Sequence, residues 1–117
     1  MTEVVVTDEF KTWYEALSMG EQESVFRVVT LLEARGVSLG YSYSSAIESS
    51  RHGLRELRIQ HQGRPYRVFY AFDHERKAVL LLGGDKGGND RFYEQSVPRA
   101  DTLWERYLAE RPTERED

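Results

Sequence analysis

Residues 53–86 read GLRELRIQHQGRPYRVFYAFDHERKAVLLLGGDK, three strand-like runs joined by short polar turns. In Leu54–Ile59, the residues Arg55, Leu57 and Ile59 alternate with Leu54, Glu56 and Arg58. In Tyr66–Phe72, one face carries Tyr66, Val68, Tyr70 and Phe72, and the other Arg67, Phe69 and Ala71. Ala78–Leu82 is apolar throughout, the pattern of a strand covered on both sides. Gly63 and Pro65 punctuate the first connection and Asp73-His74-Glu75-Arg76 the second. The spacing predicts a meander of antiparallel strands, closed by a Gly83-Gly84-Asp85-Lys86-Gly87-Gly88 turn.

What flanks the meander is helical. Val4-Val5-Val6 predicts a short opening strand that joins the sheet at an edge. Phe10, Trp13, Tyr14 and Leu17 recur at helical spacing, with Asp8 as the expected cap. Val25, Val28, Val29 and Leu32 repeat that spacing after an interruption at Gly20, and Gly36 is a natural stop. Residues 37–52 are Ser- and Tyr-rich and predict a loop, in which Tyr41 and Tyr43 are either packed aromatics or platforms for stacking bases. A last helical region follows Asn89 or Asp90, kinked or split at Pro98, with Ala100, Leu103, Trp104, Tyr107 and Leu108 as its apolar stripe and Pro112 as its end. The expected fold is α+β: an N-terminal helical hairpin packed on a small, mainly antiparallel sheet of three to four strands, with a C-terminal helix. One domain over residues 1–117 is expected, with 112–117 as a disordered tail.

Several chemistries are excluded by what the chain contains. It has no cysteine, so disulfides, thiolate catalysis and cysteine-based zinc sites are out. His52, His61 and His74 fit no ligand spacing, and no metal or cofactor is expected. The glycine-rich turn matches neither the P-loop nor the dinucleotide fingerprint, and no GxSxG is present. The first residues lack the basic and apolar regions of a secretory signal, and no apolar run would span a membrane, so a cytoplasmic protein is expected.

The net charge of −4 is unevenly spread. Residues 1–50 carry 3 basic and 8 acidic side chains, residues 51–91 carry 9 and 5, and residues 92–117 carry 4 and 7. The meander is therefore a basic island in an acidic chain, and local potential rather than total charge steers an anion. Arginine inside a small sheet calls for a partner or a ligand. Arg58 and Arg67 fall on adjacent strands, Lys86 follows the third, and Arg91 and Tyr93 open the last helix. If Arg58 and Arg67 share a face, cations and a phenol converge on one cleft. That set suits RNA transesterification: a base takes the 2′-OH proton, cations stabilise the phosphorane charge, and an acid protonates the 5′-oxygen. Arg55 and Arg91 are further expected substrate-binding residues. Crowding arginines are expected to lower the pKa of a tyrosine or lysine among them.

The order ELRI, YRVFY, VLLLGGDK and RFYE, preceded by a helical hairpin, resembles the RelE/ParE superfamily of bacterial toxins, in particular its HigB-like, phage Gp49-like branch. The resemblance runs from about Phe10 to Leu108. It implies a ribosome-dependent mRNA endonuclease of a type II toxin–antitoxin pair, silenced by a small antitoxin, usually of helix-turn-helix type. Arg67 matches the arginine that contacts the scissile phosphate, Arg58 and Lys86 match basic positions of the neighbouring strands, and Tyr93 falls near the tyrosine that opens the last helix. Glu56 departs from the pattern, where a basic residue is usual; it is either a base or a partner that fixes an arginine. Two other readings share the fold: a ParE-like toxin that inhibits DNA gyrase without cutting, and a non-toxic binding module.

Overall fold

The computed structural model describes residues 1–110; the expected tail and the Pro112 stop lie outside them. The element order is β1 (Val4–Val6), α1 (Asp8–Glu15), α2 (Met19–Arg35), β2 (Ser44–Ala46), β3 (Arg55–His61), β4 (Arg64–Phe72), β5 (Ala78–Asp85) and α3 (Phe92–Glu110), with a 3₁₀ turn at Gly36–Ser38. The strands form one sheet in the order β1-β5-β4-β3-β2. The β3-β4-β5 meander is antiparallel, and β1 joins its edge parallel to β5. The sheet has five strands because Ser44–Ala46, in the expected loop, pairs antiparallel with Arg55–Leu57. Burial explains why no apolar alternation announces this strand: Ser44 is buried and hydrogen-bonded to Tyr70 Oη at 2.6 Å rather than packed through an alkyl group.

Helices cover both faces. Phe10, Val25, Val28 and Leu32 of α1 and α2 pack on Leu57, Ile59, Val68, Tyr70 and Leu80. Val97, Ala100, Leu103 and Trp104 of α3 pack on Leu54, Phe69, Ala71, Val79 and Leu81. That apolar stripe carries α3 through Pro98 as one continuous helix. The proline ring sits on the exposed side, so the cost of its missing N–H, about 3 kcal/mol in a helix interior, is offset by burial of the opposite face. The α1 cap is Thr7 rather than Asp8: its hydroxyl accepts from Phe10 N at 3.0 Å and donates to the Leu81 carbonyl at 2.7 Å. In α2, Ser18 and Glu21 form a reciprocal capping box, so Gly20 lies within the first turn and does not break the chain.

An irregularity in β5 sets the geometry that follows. Phe69 pairs with Leu82 but Tyr70 with Leu80, which leaves Leu81 as an extra residue. Leu81 and Leu82 therefore both join the α3-side core, and the face of every later residue is inverted. Gly83 and Gly84 then belong to the strand rather than to a turn. A Cβ on Gly83 would lie 2.3 Å from the Trp13 ring, and one on Gly84 2.8 Å from Phe92. The two glycines let large rings from opposite layers rest directly on the backbone.

Candidate active site

Arg58 and Arg67 are directly opposed across β3 and β4, so they share a face, the one covered by α3. Like charges placed this way repel unless something lies between them. Glu56 does. Its Oε2 lies 3.3 Å from Arg58 Nη1 and its Oε1 3.6 Å from Arg67 Nε. The same carboxylate accepts from Ser45 Oγ at 2.9 Å and from Tyr93 Oη at 2.7 Å. Arg67 donates through Nε to Tyr93 Oη at 3.3 Å and through Nη1 to the Tyr66 carbonyl at 3.0 Å. Glu56 and Arg67 are buried, while Arg58 is about one-third exposed. A buried carboxylate with four donors around it is a hub that fixes the arginines and the phenol together.

Tyr93 comes to this hub on the first turn of α3, and Lys86 by way of the β5 irregularity. Gly84 opposes Arg67, so Lys86, two residues on, follows on the α3 side. Its Nζ lies 5.5 Å from the Tyr93 ring centroid. Regular alternation from Leu80 would have sent it to the α1–α2 side. Burial, more than any charge, raises the Tyr93 pKa, and the hydrogen bond to Glu56 adds to this; donation from Arg67 works the other way and is outweighed. Arg67 thus acts in the expected direction, but burial and Glu56 reverse the net shift. At neutral pH the phenol keeps its proton and shares it with Glu56.

The hub borders a cleft of about 610 Å³ that wraps the open end of β3. Its lining includes Arg27, Arg58, Arg67 and Lys86 and no acidic residue. Neither Arg27 nor Lys86 has an ion-pair partner among the described residues, so the cleft presents uncompensated positive charge. Arg27 comes from α2, in the acidic half of the chain, and nothing local in the sequence marks it; only the packing of α2 on the sheet brings it to the rim. Ser45, the neutral anchor of Glu56, is likewise invisible without the β2–β3 pairing.

Two expected site residues lie elsewhere. Arg55 is on the opposite face, where its Nε donates to Ser44 Oγ at 3.1 Å. Its strand position has the parity of Leu57 and Ile59, not of Glu56 and Arg58. Arg91 precedes α3, exposed, and forms an ion pair with Glu94 at 3.0 Å. Among the described residues no group of three or more His, Asp or Glu is arranged to hold a metal ion, and no helix is long and apolar enough to cross a membrane.

The whole is a small α+β body with a cation-lined cleft at the end of its central hairpin. Residues 12–105 match the family model described as phage derived protein Gp49-like. The chain is 38% identical over 108 residues to "Putative toxin HigB3" of Mycobacterium tuberculosis (strain ATCC 25618 / H37Rv), covering 91% of this chain and 93% of that protein. It is 32% identical over 106 residues to "Putative toxin HigB2" of the same organism, covering 88% of this chain and 53% of the relative, and so spans about half of that longer protein. The chain belongs to the Gp49-like family of HigB-like toxins within the RelE/ParE superfamily.

Proposed function

We propose that this protein is the toxin of a type II toxin–antitoxin pair and that it cleaves mRNA, on the ribosome, by metal-free attack of a ribose 2′-OH on the adjacent phosphate. Its silencing partner is a cognate antitoxin of helix-turn-helix type. The observation that carries the reading is the acid-free cleft in which Arg58, Arg67 and Lys86 meet beside the Glu56–Tyr93 hydrogen bond. The guanidinium groups receive the non-bridging phosphate oxygens and stabilise the added charge of the transition state. The Tyr93 proton is directed at Glu56 Oε1, which leaves the phenol oxygen able to take the 2′-OH proton as it passes its own to the carboxylate. The O2′–P bond forms and the P–O5′ bond breaks. The Lys86 ammonium gives a proton to the departing O5′, leaving a 2′,3′-cyclic phosphate and a 5′-hydroxyl.

The test is a cell-free translation reaction in which message ends are mapped after addition of protein. Wild type is expected to stop synthesis and produce cut messages. Tyr93→Phe and Lys86→Ala, both on partly exposed side chains, are expected to fold normally and to cut about 100- to 10,000-fold more slowly. Intact messages with wild-type protein would sink the proposal. Inhibition of gyrase supercoiling in their place would establish the ParE-like alternative, and the absence of growth arrest on expression would leave a binding module.

A further inference from the structure

The cleft extends well past the hub, and its far wall has its own chemistry. Residues 39–43 fold back through backbone bonds from Tyr43 N and Ser44 N to the Gly40 carbonyl, both 3.0 Å. The Tyr43 carbonyl accepts from Arg58 N at 2.8 Å, which ties this wall to the end of β3. The Arg58 guanidinium carbon sits 5.5 Å from the Tyr41 ring centroid and so supports one face of the ring. Yet Tyr41 is 80% exposed and Tyr43 47%, so large aromatic surface stays in water beside a cationic groove. Arg27 stands across from them on α2. Arg58 thus touches both Glu56 at the hub and Tyr41 at the wall.

We propose that Tyr41, Tyr43 and Arg27 form a second subsite that holds an unpaired nucleotide next to the scissile one: its base stacks on the open face of Tyr41, with Tyr43 alongside, and Arg27 takes a flanking phosphate. Aromatic platforms interleaved with cations bind single strands because every base offers a π-face, whereas paired bases are already stacked. The ligand class is therefore single-stranded RNA, read with little base preference. This subsite rests on the reading of the cleft as an RNA site but not on the cutting step.

The probe is a fluorescein-labelled oligouridine of about 12 nucleotides, 2′-O-methylated throughout so that it has no attacking hydroxyl, with binding followed by anisotropy over a salt series. Tyr41→Ala is expected to weaken binding about 5- to 10-fold and Tyr41→Phe to leave it nearly unchanged. Arg27→Ala is expected to weaken binding and to flatten the slope of log K against log salt by about 0.7, the loss of one phosphate contact. Abasic sites in the probe should weaken wild type more than Tyr41→Ala. Both substituted residues are exposed, so melting temperatures should stay level and report intact folding. Wild-type-like binding by both alanine variants, a wild type that ignores the probe, or equal competition by duplex RNA would each overturn the proposal. Because the probe cannot be cut, a protein that binds it without cleaving messages would retain this subsite and lose the nuclease reading.

Discussion

Replacing Glu56 by glutamine tests the central physical argument, that one buried carboxylate makes two opposed arginines tolerable. The substitution keeps shape and removes charge. Arg67 and Glu56 have side-chain exposures of 6% and 7%, so water cannot take over for the missing anion. Breaking a buried pair by removing one partner typically costs about 3–5 kcal/mol. Two features favour the lower end: Arg67 keeps its bond to the Tyr66 carbonyl, and Arg58, 32% exposed, can turn to solvent. An expected loss of about 3 kcal/mol corresponds to a fall of roughly 12 °C in Tm for a domain of this size. The assay is urea and thermal denaturation of wild type, Glu56→Gln, Arg67→Gln and the double variant. If the pair is coupled, the double variant is less destabilised than the sum of the singles by about 2 kcal/mol. Ser45→Ala serves as a reference, since it removes one neutral donor and should cost about 1 kcal/mol. A Glu56→Gln protein within about 0.5 kcal/mol of wild type, or singles that simply add, would refute the reasoning.

Two further outcomes are expected. Gly83→Ala places a methyl 2.3 Å from the Trp13 ring and should destabilise by about 1–3 kcal/mol or more in urea titrations. Glu21 should be the source of an acid-sensitive contribution. The Tyr66 hydroxyl, then the Ser18 backbone N–H and hydroxyl, hold its carboxyl at about 2, well below the usual 4.5. A depressed pKa gives stability that is complete above the unfolded value and disappears as pH falls through the folded one. The stability gap between wild type and Glu21→Gln should therefore be constant above about pH 5 and close between about 4.5 and 2. A gap that persists at pH 2 would show that Glu21 acts through packing.

Legibility followed range of interaction. The meander, the two N-terminal helices and the opening strand announce themselves because each depends on its own residues' periodicity and turn chemistry. The capping box at Ser18 and Glu21 is local as well, and Gly20 obscured it by suggesting a break. Strand β2 was not legible because its stability comes from a hydroxyl buried against Tyr70, 26 residues away. Pro98 suggested a kink or a split, and what overrides it is an apolar face that matters only once the sheet is beneath it. At the site, the sequence puts Arg58 and Arg67 on adjacent strands, where strand parity fixes the face within each strand; that the two share one face comes from the β3–β4 register. The same parity, applied strictly, separates Arg55 from them.

The sequence by itself determined every element but β2, the basic island and the family, because periodicity, charge and motif order are properties of neighbouring residues. Tertiary structure decided which charges meet. It set Glu56 between two arginines, kept the Tyr93 proton in place through burial and brought Arg27 across from α2. Through a single extra residue at Leu81 it turned Lys86 toward Tyr93. The physical reason is that side-chain direction in a sheet inverts with every residue, so one bulge decides a face, and only contacts distant in sequence fix where that bulge falls.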